Sequence, residues 1–162
     1  MRSRIETLIA RIITAAGIAL AAGLYIVAAL LPPVPTWLAV IIVGCSAIFA
    51  VGHGWFAVIA IFDLADPPRS PLEQGRQPLT PADGTMRGGW LIGVLERAAT
   101  AVAIGVGQFA TLAVIVAVKA VGRFGELDKP ESRERFIIGS MASLAVGVLW
   151  GGVAHLFSWG GH

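Results

Sequence analysis

Glu96 and Arg97 stand side by side in one of the most apolar parts of the chain, 88–100, "GGWLIGVLERAAT". An acid beside a base in such a setting could line an ion or proton path, hold a polar ligand, or anchor a neighbouring helix. A charge at the centre of a bilayer costs about 2.5–3.5 kcal/mol on insertion scales, so it persists there only with partners or water. Adjacent helical positions point about 100° apart, so these two side chains do not pair with each other, and each seeks a different neighbour. Thr100 and Gln108 follow on roughly the same helical side as Glu96 and extend the idea to a polar path. A plainer reading also fits: Glu96, Arg97 and Lys119 flank the uncharged run 98–118, which matches one bilayer crossing.

Two further residue sets could do chemistry. His53 and His155 sit in apolar segments and raise a redox-anchor reading with haem b, which needs two imidazoles at one depth on facing helices. With four crossings their helices would run parallel, and the two would differ in depth by about 8–10 Å, so helix packing is the larger expectation for both. The alternating charges of 119–135, with Lys119, Arg123 and Glu126 among them, read as a salt-bridged connection, or as a docking surface for a partner or for lipid headgroups. The single cysteine, Cys45, has no second cysteine to join it and reads as packing.

These residues must be positioned by membrane helices. Only 14% of the 162 residues are charged, 56% are hydrophobic, and the mean hydropathy is +0.79. No Asp, Glu, Lys or Arg occurs between Arg11 and Asp63, in 98–118, or in 136–162. A bilayer core about 30 Å thick takes about 20 apolar residues in a helix, so the first run is long enough for two crossings and the others for one each. The runs lack the alternation of barrel strands. A net charge of +2 is too small to point to nucleic acid. No phosphate loop, zinc spacing, nucleophile elbow or dinucleotide fingerprint is present, and an enzyme is not expected.

The expected fold is therefore all-α, a polytopic integral membrane protein with four transmembrane helices in two hairpins. Residues 1–62 form an amphipathic turn over 1–11 and the first hairpin, broken at Pro32-Pro33 and anchored by Trp37. A signal peptide is the alternative for the N-terminus, but the apolar stretch 12–31 is longer than a usual signal core. Residues 63–88 form a Pro-rich aqueous loop. Residues 89–162 form the second hairpin, with an unbroken helix centred on 98–118, the connection 119–135, and a last helix over about 135–157. Even crossings put the N-terminus, the long loop and the C-terminus on one side. Arg97 aside, the Lys and Arg then divide six to five and barely decide orientation; the N-terminus is expected in the cytoplasm.

Gly139, Ser143, Gly147, Gly151 and His155 recur at intervals of four on the last helix, and Ala99, Ala103, Gly107 and Thr111 form a similar stripe on the third. Small residues let membrane helices approach closely, so these stripes are expected to pack against each other or across an oligomer.

The segments "GGWLIGVLER", "KAVGRFGEL" and "ESRERFIIGSMASL" resemble the C-terminal membrane part of an uncharacterised bacterial inner-membrane family, a domain of unknown function. The matching residues are Gly93, Glu96 and Arg97, then Lys119, Arg123, Phe124 and Glu126, then Glu134, Phe136, Ile137, Gly139 and Ser143, within about 88–150. The resemblance implies a multi-pass protein of the bacterial inner membrane and supplies no activity. The leading expectation is a small structural or accessory subunit, or a self-assembling component, in contact with the lipid bilayer and either homo-oligomeric or part of a larger complex. The alternatives are an oligomeric channel or transporter with a polar path near Glu96, Arg97 and Gln108, and the haem-binding redox anchor.

Overall fold

A computed structural model describes residues 4–65, 89–122 and 130–159, and all its regular structure is helical. Five helices follow in order: α1 (Arg4–Leu30), α2 (Thr36–Ala65), α3 (Gly89–Gly105), α4 (Thr111–Gly122) and α5 (Pro130–Trp159). Three stretches, Arg4–Leu30, Thr36–Ala65 and Phe136–Trp159, are long and apolar enough to cross a membrane. Helix α1 starts at Arg4, so the N-terminal residues from there on belong to the first long helix rather than to a separate amphipathic turn. The prolines between Leu31 and Pro35 end it, and Pro35 leads α2, its carbonyl accepting from the Leu38 and Ala39 amides. Most of the Pro-rich loop, and Arg123 and Glu126 of the charged connection, lie outside the described residues.

The third apolar segment departs from expectation: it is not one helix. Helix α3 stops at Gly105 in a Schellman motif, with the Gln108 amide bonded to the Ala103 carbonyl at 2.7 Å and the Gly107 amide to the Ile104 carbonyl at 3.0 Å. Gly107 takes the left-handed position with φ 79°, which a side chain would strain. Helix α4 then turns back along α3. Ion-paired Glu96 and Lys119 join the two helices, and Ile92 faces the same cleft as Gly122.

That fold-back changes the direction of everything after it. Phe62 meets Gly139, Val43 and Ala154 both meet Gly105, Gly54 meets Arg97, and Phe49 stacks on Trp150, so α2 runs antiparallel to both α3 and α5. Arg97 reaches Ser143 and Trp159 reaches Gly105, so α3 and α5 run parallel. The expectation that the second and last long helices are parallel is therefore wrong. One end of the bundle gathers Arg4, Arg11, Asp63, Lys119 and the start of α5, together with the helix ends that border 66–88 and 123–129. The 31–35 and 106–110 turns and Trp159 form the other end, which has no charged residue among those described. Residue 4 and residue 159 thus lie at opposite ends, not on one side.

The interior is built from small residues. Ala21, Ala50, Ala57 and Ala101 pack with Val146, Trp150 and Val153, whereas Ile5, Leu30, Trp37, Ile48, Val118 and Val121 point outward. Small residues inside and large apolar ones outside suit helices that associate in lipid, where close backbone packing drives association. Tyr25 fixes α1 to α5 by donating to the Leu149 carbonyl at 3.2 Å over Gly152.

Candidate functional site

Arg97 lies where α2, α3 and α5 cross and keeps only 6% of its surface exposed. Glycine makes the room. A Cβ on Gly54 of α2 would collide with Arg97 Cδ, and one on Gly93 would lie 3.4 Å from Arg97 Nη1. On α5, Gly147 packs against Thr100 and the Arg97 carbonyl. The guanidinium folds back beside Gly93, toward the charged end. Its Nη1 donates to Ser143 Oγ at 3.4 Å, a long hydrogen bond, and its Nε has no partner. No carboxylate among the described residues pairs with it. Thr100, fully buried, and Ser140, one turn before Ser143 on α5, also hold hydroxyls without partners.

Glu96 faces the other way. It pairs with Lys119, whose ammonium also lies 5.9 Å from the Phe136 ring centroid. The two are not markers of opposite interfaces, because the hairpin brings them to one level. Beside them is a cleft of about 460 Å3 between α3 and α4, lined by Ile92, Leu95, Ala99, Val114, Ile115 and Val118. Helix α4 has no buried residue; Val118 is 67% exposed.

The expected polar face of Glu96, Thr100 and Gln108 does not form. Glu96 turns to α4, Thr100 is buried against α5, and Gln108 is exposed in the 106–110 turn at the far end. The α5 stripe is in the interior, but its partner face on α3 is shifted from the expected one. Gly147 meets Thr100, and Gly151 meets Ala101 and Ile104, while Ala99 faces the α4 cleft. Ala103 is buried near the end of α3, Gly107 caps it, Thr111 opens α4, and Gly139 packs on Phe62 of α2. The turn signal was present in the sequence as Gly105-Val106-Gly107-Gln108, where Gly107 has the C′ role of a helix end.

His53 is a packing residue. Its Nδ1 accepts from Trp150 Nε1 at 2.9 Å, and its Nε2 is 3.2 Å from the Thr14 carbonyl, a pattern that fixes the neutral ring with its proton on Nε2. Gly17 clears its ring, 2.6 Å from where a Cβ would sit. His155 stands five residues beyond Trp150 on α5, about 7–8 Å further along the axis, edge-on to Phe109. With both nitrogens of His53 engaged and the two rings at different levels, this pair does not fit bis-histidine haem. No group of three His, Cys, Asp or Glu suited to a metal occurs among the described residues.

Comparison with protein-family models, with curated proteins and with solved structures gives no match to this chain.

Proposed function

We propose that the chain is a multi-pass protein of the bacterial inner membrane and that it acts as a structural or accessory subunit. Helices α1, α2 and α5 cross the bilayer, and α3–α4 enters as a helical hairpin. The observation that carries the subunit role is the contrast between a closed interior and the detached helix α4. Ala, Gly and Trp150 fill the space between α1, α2, α3 and α5, whereas α4 touches little besides α3 and buries no residue. A lone helix of 12 residues is about 18 Å long, too short to cross by itself, so the hairpin is the element offered to a neighbour. A channel would need a continuous polar route, and Glu96, Arg97 and Gln108 face three different directions.

Orientation follows from charge. Among the described residues, Arg4, Arg11, Lys119 and Arg133 lie toward the charged end, and the 31–35 and 106–110 turns contain no Lys or Arg. The positive-inside rule assigns the charged end to the cytoplasm.

A photo-crosslinking amino acid at Val118, irradiated in native membranes, tests the subunit reading. A discrete adduct with one other membrane protein, or with a second copy of this chain, is the expected result. Crosslinks to lipid alone would overturn it.

A further inference from the structure

We infer that the Arg97 slot binds an oxyanion of the phosphate type, entering from the charged end. A guanidinium keeps its proton at all physiological pH and presents a planar fork of donors. Here Arg97 keeps only 6% of its surface exposed, its Nε is buried and unpartnered, and its one hydrogen bond is a 3.4 Å contact to Ser143. Glu96, the adjacent acid, attracts Arg97 through space, but its carboxylate is bonded to Lys119. A buried cation with one long neutral partner is poorly compensated, and the missing partner has a definite chemistry. It must be negative, must accept from Nε and Nη together, and must accept from a hydroxyl as well. The buried hydroxyl of Ser140 on α5, one turn before Ser143 and at the level of the guanidinium, is without a partner. A tetrahedral oxyanion meets all of these demands, with a two-point contact to the guanidinium.

The slot is shaped for this side chain rather than for tight packing. Glycines from two helices, Gly54 and Gly93, clear the path of Arg97. The guanidinium lies beside Gly93, about 6 Å along the axis from the start of α3, on the side of the charged end. A phospholipid headgroup and a free phosphate share the required chemistry.

Thermal unfolding of the full chain in a mild non-ionic detergent tests the inference. The probes are dihexanoyl phosphatidylglycerol, its zwitterionic phosphatidylcholine counterpart and inorganic phosphate, each titrated separately. At saturation an anion bound only to the folded state is expected to raise Tm by about 5 °C. Arg97→Lys keeps the charge but loses the fork, and Ser140→Ala loses the one unpartnered hydroxyl beside it. Each is expected to weaken the apparent affinity about tenfold, the cost of a charge-assisted hydrogen bond. A rise with phosphatidylglycerol but not with phosphate identifies a lipid headgroup, and a rise with phosphate identifies a soluble anion. No saturable rise with any probe, or titrations unchanged in both variants, would overturn the site. The readout is the ligand-dependent shift, so a variant that is merely less stable does not imitate it, and no protein partner is required.

Discussion

Lys119 and Glu96 are 23 positions apart in the chain and ion-paired across the turn at Gly107. In an unbroken helix they would stand about 35 Å apart. The cap at Gly107 turns the chain, this contact holds α4 back along α3, and α5 runs parallel to α3. A double-electron spin-resonance measurement checks it directly. With Cys45 replaced by serine, labels at Ile92 and Val118 are expected within about 20 Å, since both residues line one cleft. A distance near 39 Å would mean a continuous helix.

The same ion pair has an energetic signature. Both side chains are largely shielded, at 17% and 12% exposure, and α4 has few other holds on the bundle. Glu96→Gln and Lys119→Met are expected to show a coupling of about 1 kcal/mol in a double-mutant cycle on unfolding. Coupling near zero would remove the pair as the clasp of the hairpin.

Glycine substitutions should divide by what a methyl group meets. At Gly151 a Cβ would lie 2.7 Å from the Ala101 carbonyl oxygen, a backbone atom that cannot swing away. Gly151→Ala is expected to destabilise by about 1–3 kcal/mol. Gly52 and Gly44 have nothing within 4 Å, so alanine there should be neutral or stabilise by up to about 1 kcal/mol through helix propensity. Unfolding of the three variants in one detergent ranks them; equal losses would contradict the α3–α5 packing.

His53 and Trp150 share a buried hydrogen bond between α2 and α5. His53→Leu leaves the indole N–H without its acceptor and is expected to cost about 1–3 kcal/mol. In a Trp150→Phe background the same substitution should cost about 1 kcal/mol less, because the donor is already gone. Strictly additive losses would argue that the bond contributes nothing.

Topology offers the simplest check. Alkaline phosphatase fused after His162 is expected to be active, and a fluorescent protein fused there dark, because Trp159 lies at the end opposite Arg4. Fluorescence from fusions at both the N-terminus and the C-terminus would restore the even-crossing arrangement.

Much of the architecture was legible from residue types alone. Long uncharged runs dictate apolar helices, and the prolines at 32, 33 and 35 dictate where α1 stops, because a missing N–H and a fixed φ act locally. The interval-of-four small residues on α5 marked an interior face, since helical periodicity is also local. Other features were decided by tertiary structure. A run of 21 uncharged residues, 98–118, matches one crossing as well as it matches two short helices, and only the cap at Gly107 and the contact between Glu96 and Lys119 separate them. The partner face of α3 was misjudged by one position, from Ala99 to Thr100, because helix rotation is set by which neighbour packs on it and not by the helix itself. Adjacent Glu96 and Arg97 had to diverge by helix geometry, but which would find a countercharge depended on α4 folding back to one and not to the other.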